Sequence, residues 1–194
     1  YIQKYTLNLF FSAMAGLVAG VVIGVTSDYF TSINRPPVKA IAKASQTGAA
    51  ITILTGFSYG LISVVPSVLG ICIATIAAWF LAGLYGIAIS AVGMLSIAGV
   101  IVSSDACGPI VDNARGIAEQ SGLEKEVVAP LDKLDAAGNT AKAITKGFAI
   151  GAAALTVLSL FASYAAIVGI DMISLMKPHV IAGAFIGAFV PPLF

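Results

Sequence analysis

The sequence predicts an all-α protein, a polytopic bundle of transmembrane helices with about four full spans and a truncated fifth. Of its 194 residues, 59% are hydrophobic and only 10% are charged, whereas a soluble domain has about 25% charged residues. The mean hydropathy is +1.01. The 61 residues from Ala44 to Ser104 include no Asp, Glu, Lys or Arg, and apolar runs of about 20 residues are typical of membrane-spanning helices.

The same composition excludes several other classes of protein. A chain this apolar is not disordered, and two distant cysteines, Cys72 and Cys107, form neither a disulfide scaffold nor a metal-binding spacing. The net charge is +1 and the pI is about 7.9, so a nucleic-acid partner is not expected. The lipid bilayer is the partner that the composition favours.

The first predicted span, Leu7–Val25, has glycines at every fourth position. Gly16, Gly20 and Gly24 form a stripe of small residues, which allows close approach of helix backbones in lipid. A polar connection, Thr26–Gln46, follows the span.

The second apolar stretch runs from Thr47 to about Gly83. Its first part, as far as Gly60, is mildly polar and predicts a helix near the interface that leads into a span over Val65–Leu84. A short turn near Tyr85 and Gly86 leads to the third span.

The remaining segments alternate between apolar and polar. A third span over Ile87–Asp112 is followed by a charged loop, Asn113–Pro130, and by a fourth helix, Leu131–Val168. After a turn comprising Gly169 and residues 171–178, the apolar run His179–Phe194 is shorter than a full span. His179 follows Pro178 at a helix start and is interpreted as structural. Since the chain opens on Tyr1 and closes within an apolar run, we expect a piece of a longer protein.

Basic residues predict the orientation of the bundle. They occur in two connections that two spans separate, so both connections face the same side: Arg35, Lys39 and Lys43 in one, and Arg115, Lys125 and Lys133 in the other. By the positive-inside rule that side is cytoplasmic.

The charged residues are concentrated in one window. Residues 105–146 hold seven acids and five bases, twelve of the nineteen charges. Asp105, Asp112 and Glu119 recur every seven residues and share one face of a continuous helix. A second stripe follows spacings of three and four along the next helix: Asp132, Asp135, Asn139, Lys142 and Lys146.

The residue types in these stripes suggest a Mg²⁺–phosphate site at the cytoplasmic mouth of the bundle. Carboxylate and amide oxygens suit Mg²⁺, which commonly joins one or two carboxylates to a phosphate, and nearby lysines supply positive charge to phosphate oxygens. Two other interpretations stay open: a proton or cation pathway, and structural ion pairing between the stripes. Charges nearer the loop, such as Glu124 and Lys133, are expected to be solvated.

Several motifs resemble the membrane-bound, ion-translocating inorganic pyrophosphatases. The principal ones are Asp105-Ala-Cys-Gly-Pro-Ile-Val-Asp112-Asn113-Ala-Arg-Gly-Ile-Ala-Glu119, Leu134-Asp135-Ala-Ala-Gly138-Asn139-Thr140 and Lys146-Gly-Phe-Ala-Ile-Gly151. Shorter matches are Asp28-Tyr-Phe-Thr-Ser32, Gln46-Thr-Gly48, Tyr85-Gly-Ile-Ala and Gly93-Met-Leu-Ser96. The resemblance covers nearly the whole chain, in the expected order, and predicts that residues 1–194 are part of a single integral-membrane pyrophosphatase domain.

The resemblance implies a function and a set of site residues. Family members hydrolyse cytosolic pyrophosphate with Mg²⁺, pump H⁺ or Na⁺ outward and are homodimers. By similarity, Asp112, Asn139 and Asp105 are expected at the Mg²⁺ site and Lys146 at the substrate. The family's activating aspartates are not among these residues, so no catalytic residue is assigned here and the segment alone is expected to be inactive. A prokaryotic plasma membrane is the expected location.

Two positions in the resemblance distinguish subclasses of the family. Potassium-independent members have Lys three residues after the motif Asn, usually with Thr three residues later; here these are Lys142 and Thr145. Because a fixed ammonium can replace a bound K⁺, the resemblance implies a potassium-independent, proton-pumping enzyme. The sequence departs from the family pattern at Arg115, Gln120 and Lys133.

Two other classes of function compete with this interpretation. In a secondary transporter, the Asp and Lys stripes would form a proton relay without hydrolysis. In a purely structural segment, they would form internal ion pairs, and charge removal would affect assembly and not substrate affinity.

Overall fold

The computed structural model describes residues 2–170 and 173–193, and within them the fold is all-α, as predicted. The helices are α1 (Ile2–Thr31), α2 (Pro36–Ser45), α3 (Ala49–Leu95), α4 (Ala98–Gln120), α5 (Lys125–Val168) and α6 (Pro178–Leu193). Three stretches of the described residues are long and apolar enough to cross a membrane: Tyr5–Ser45, Ala49–Leu95 and Lys125–Val168. A helical membrane bundle therefore fits, while the count of four spans and a fifth stays a prediction.

The glycine stripe of α1 is a packing surface, as its spacing predicts. A Cβ atom on Gly16 would overlap the backbone of Ser90, and one on Gly20 would lie 3.2 Å from the Phe148 ring. On Gly24 it would lie 3.8 Å from Ile144. The stripe allows α1 to approach both α3 and α5 closely.

Helix α3 is interrupted by a reversal of the chain at Ala82 and Gly83. Neither residue has helical backbone angles, and Gly83 has a φ of 62°, which glycine adopts without strain. A Cβ on Gly86 would overlap the Ala78 carbonyl. In a continuous helix these two residues would lie about 12 Å apart along the axis, so the contact shows that the chain turns back on itself. The predicted turn near residues 85 and 86 therefore lies about three residues earlier. Asn8 donates its side-chain N–H to the Leu81 carbonyl at 2.8 Å, next to this break.

Two of the predicted segment boundaries are wrong because helices begin earlier or continue further. Residues 49–81 form one helix with no break between the expected interfacial part and the span that follows, and Pro66 lies inside it. The connection 26–46 is largely helical, because α1 continues to Thr31 and α2 begins at Pro36, which suits the first turn of a helix.

The predicted third span is not one helix. Helix α3 ends at Leu95 and α4 begins at Ala98. The hydroxyl and the backbone N–H of Ser96 both donate to the Gly93 carbonyl, at 2.7 Å and 3.3 Å. A side chain that competes for backbone carbonyls in this way favours a helix end.

The predicted loop over residues 113–130 is also wrong, since only Ser121–Glu124 connect α4 to α5. Gly122 has a φ of 65°, and its N–H donates to Glu119 while that of Leu123 donates to Ala118, both at 3.1 Å. This glycine-terminated pattern is the Schellman motif. Charged residues suggested a solvated loop, but they lie on helical turns.

The hydrophobic core joins α1, α3 and α5 within the first of two compact units, Tyr1–Leu158. Ile23, Met94 and Leu155 are completely buried there, and Phe148 is 3% exposed. Helices from three parts of the sequence thus share one core, which holds the part of α5 just past its midpoint in place.

The second unit, Ser159–Phe194, includes the end of α5 and helix α6. Gly169 ends α5 with a φ of 70°, and the Ile170 N–H donates to the Ala165 carbonyl at 2.9 Å. This helix end agrees with the predicted turn, although residues 171 and 172 of that turn lie outside the described residues. Helix α6 begins at Pro178, as predicted, and His179 is exposed in its first turn.

Candidate functional site

The two polar stripes meet where α4 and α5 cross. A Cβ on Gly138 would lie 3.0 Å from the Gly108 Cα, and one on Gly108 would lie 2.7 Å from Lys142 Cε. Only glycine allows two backbones this close, since any side chain would have to displace its neighbour. The crossing places the acidic stripe of α4 against the mixed stripe of α5.

Lys142 connects the two stripes. Its side chain packs along Gly108, and its Nζ lies 3.6 Å from Asp112 Oδ2 on α4. The same ammonium donates to Asn139 Oδ1 at 3.3 Å, and Asn139 Nδ2 donates to Asp135 Oδ1, also at 3.3 Å. The structure therefore brings Asp112, Asn139 and Lys142 together, as the stripes predicted.

Asp105 lies two turns before Asp112 on α4. Its Oδ1 is buried and has no hydrogen-bond partner among the described residues, which is uncommon for a carboxylate oxygen in a folded protein. Seven residues of helix rise about 10 Å, so the carboxylates of Asp105 and Asp112 occupy separate positions along α4.

Lys146 and Thr145 lie one turn further along α5. The Lys146 side chain is exposed, and no ion pair involving it is found in the described part of the chain. Thr145 donates to the Ala141 carbonyl at 3.0 Å, a bond within its own helix. The structure therefore does not bring Lys146 into contact with the Asp112–Lys142 pair.

Arg115 forms the second link between the helices. Its Nε donates to Asp132 Oδ1 on α5 at 2.8 Å, and one of its terminal nitrogens lies 2.7 Å from Glu119 Oε2 on α4. The hydrogen bond that the guanidinium donates to Asp132 and the negative charge of Glu119 raise its pKa above the usual value. In the sequence, the i, i+4 spacing of Arg115 and Glu119 indicates the ion pair within α4. No spacing indicates the bond from Arg115 to Asp132.

The connection after α1 lies at the same end of the fold as these charges. Ser32, Asn34, Lys133 and Thr140 border one polar cavity of about 300 Å³. The connection after α1 is therefore a neighbour of α5 near Lys133, while the orientation of the bundle stays a prediction.

The donor set at the crossing suits Mg²⁺ in part. No group of three His, Cys, Asp or Glu side chains that could hold a metal ion occurs in the described ranges. However, Mg²⁺ retains several waters and needs only one or two protein carboxylates when phosphates complete its shell. The Asp112 carboxylate and the Asn139 amide oxygen are ligands of this hard type at the crossing, and the unpartnered Asp105 oxygen is another at a separate position about 10 Å along α4.

Comparison with known proteins identifies the family. The family model described as inorganic H⁺ pyrophosphatase matches residues 1–194. The chain belongs to this family.

Its relatives in the inorganic H⁺ pyrophosphatase family include two kinds of pump. A K⁺-insensitive pyrophosphate-energized proton pump of Methanosarcina mazei is 44% identical over 96% of this chain. A putative K⁺-stimulated pyrophosphate-energized sodium pump of Clostridium tetani is 46% identical over 97% of it. The chain spans 29% of the length of each of these relatives. Identity alone does not separate the two kinds, so the subclass depends on individual residues.

Proposed function

We propose that the whole protein is a potassium-independent inorganic pyrophosphatase that takes pyrophosphate as its Mg²⁺ complex and pumps protons across the membrane. One observation carries the proposal: in a chain of this family, the Lys142 ammonium lies between Asp112 and Asn139. A fixed positive charge is thus present beside the oxygens that are candidates for metal and substrate binding.

Residues of both α4 and α5 contribute to the proposed site. Asp112 and Asn139 would hold Mg²⁺, and Asp105 would contribute a further carboxylate two turns away. When bound, Mg²⁺ would neutralise charge on the phosphates and so favour departure of the leaving phosphate. The exposed ammonium of Lys146 is suited to bind a phosphate oxygen as a point charge.

Lys142 would supply the positive charge that a bound K⁺ supplies elsewhere in the family. Its Nζ is 3.6 Å from a carboxylate oxygen and 3.3 Å from an amide oxygen, and both are acceptors that an alkali cation would also use. The hydroxyl of Thr145 is occupied within α5, so its proposed part in potassium independence is to shape the helix beside Lys142.

Assembly and location follow the family in this proposal. We propose that residues 1–194 are part of one integral-membrane domain, that the full-length protein is a homodimer and that it lies in a prokaryotic plasma membrane. The Mg²⁺–pyrophosphate site would face the cytoplasm, because the connection after α1, which carries Arg35, borders α5 near Lys133 and basic residues favour the cytoplasmic side.

The Lys142→Ala variant of the full-length enzyme tests the proposal. We expect hydrolysis of pyrophosphate in K⁺-free buffer to fall by about tenfold or more, because the charged hydrogen bond and the ion pair are both lost. Added K⁺ should restore most of the activity, since the vacated position has oxygen ligands. Hydrolysis is measured in isolated membranes against K⁺ concentration.

Lys133→Ala is the matched control, because it removes an exposed ammonium from the same helix. It should leave hydrolysis unchanged and insensitive to K⁺. A Lys142→Ala enzyme that is indifferent to K⁺ would contradict the subclass. Proton transport without any pyrophosphate hydrolysis in wild-type membranes would instead support a secondary transporter.

A further inference from the structure

Helices α4 and α5 approach each other through a pair of glycines. At the crossing Gly108 faces Gly138, and the Gly138 Cβ position is 3.0 Å from the Gly108 Cα. Glycines permit close approach but provide no side chains that interlock, as knobs in holes would. Side-chain contacts beside the crossing therefore help to set the longitudinal position of one helix against the other, together with the short connection Ser121–Glu124.

Two side-chain links between the helices flank this crossing. Lys142 reaches Asp112 at 3.6 Å, beyond the 3.2 Å typical of a good hydrogen bond. Arg115 reaches Asp132 at 2.8 Å, and the residues are 17 positions apart in sequence. The shorter link is thus formed by Arg115, one turn from Asp112 on α4.

The Arg115 guanidinium contacts one carboxylate on each helix through different nitrogens. Glu119 accepts from a terminal nitrogen at 2.7 Å within α4, while Nε points at Asp132. The planar fork of arginine can bind two carboxylates at once, which a lysine ammonium on a flexible chain does less well. One arginine side chain thus neutralises a carboxylate on each of the two helices.

We infer that Arg115 is a positioning residue: its bond to Asp132 holds α4 and α5 in the register that keeps the Lys142 ammonium between Asp112 and Asn139. The inference rests on the proposed function, because the consequence is measured as potassium independence. Arg115 is one of the positions at which this sequence departs from the family pattern, so its link to Asp132 is not part of the resemblance. It acts through Lys142 and needs no contact with substrate.

The Arg115→Gln and Asp132→Asn variants of the full-length enzyme test the inference. Each removes the charged bond between helices, and we expect each to raise the ratio of hydrolysis with K⁺ to hydrolysis without K⁺ by about two- to fivefold, the range for a partly exposed ion pair. The double variant should show no more than the larger single effect, because both changes remove the same bond.

Glu119→Gln is the matched control. Like Asp132→Asn, it converts a carboxylate that contacts the Arg115 guanidinium into an amide. The Arg115–Glu119 ion pair lies within α4, however, and cannot fix the position of α4 against α5. Its potassium ratio should stay near that of the wild type. In a Lys142→Ala background, Asp132→Asn should not change the ratio further, whereas a general loss of stability would act in both backgrounds.

The outcomes separate this inference from the function on which it rests. If wild-type membranes do not hydrolyse pyrophosphate, the proposed function is wrong. Two results would overturn only the inference, given an active and K⁺-insensitive wild type. In the first, Arg115→Gln and Asp132→Asn are also insensitive to K⁺. In the second, Glu119→Gln raises the potassium ratio as much as Asp132→Asn does. Arg115→Lys, which keeps the charge, replaces Arg115→Gln if the latter fails to accumulate, and an intermediate ratio is expected.

Discussion

Replacing Asp112 by alanine is expected to lower pyrophosphate hydrolysis by at least about 100-fold. Loss of a partner that only orients a metal ligand costs about 10- to 100-fold in affinity or activity, and Asp112 is proposed as a ligand itself. The change also removes the carboxylate that lies 3.6 Å from Lys142 Nζ. The variant is assayed in membranes over a range of Mg²⁺ concentrations, with the amount of protein measured by immunoblot.

Comparison variants distinguish a site effect from loss of folding. Asn139→Ala is expected to show the same class of defect, since it removes the other oxygen that contacts the Lys142 ammonium. Glu124→Ala removes an exposed carboxylate from the α4–α5 connection and should retain wild-type kinetics. Wild-type Mg²⁺ dependence in both Asp112→Ala and Asn139→Ala would show that these residues are not at the site.

Replacing Gly16 by leucine is expected to prevent stable packing of α1 against α3. A Cβ at this position would already overlap the Ser90 carbonyl, and backbone cannot move aside as a flexible side chain can. Overpacking costs about 1–3 kcal/mol, occasionally more, and this site lies at the upper end because the contact is with backbone. The expected result is less protein in the membrane and a lower unfolding temperature in detergent.

Gly60→Leu provides the control for this prediction. Gly60 is an exposed glycine of α3 with no atom within 4 Å of its Cβ position, so the same change in residue should be tolerated. Equal accumulation and equal unfolding temperatures for the two variants would contradict a role of Gly16 in helix packing.

The glycine stripe and the stripe of α5 show what periodicity can predict. Spacing of four residues places Gly16, Gly20 and Gly24 on one face wherever the helix is formed, and that face is a packing face. The spacing of Asn139 and Lys142 likewise brings their side chains together at 3.3 Å. Such relations depend only on helix geometry, which the local sequence determines.

The ends of helices were predicted less well, because charge is a poor guide to them. Charged residues on both sides of Gly122 suggested a loop of 18 residues, but helices include them readily when one face is solvated. The break after Leu95 depends on bonds from Ser96 to Gly93. The sequence of that region has no charged residue and no proline to indicate a break.

The sequence by itself determined the membrane class, the helical stripes and the resemblance to a family. Only the tertiary structure decided which residues of α4 meet which residues of α5. It placed Gly108 on Gly138, Lys142 beside Asp112 and Arg115 on Asp132. These pairings depend on how closely two helices approach and on their register, and neither quantity is encoded by the periodicity of one helix.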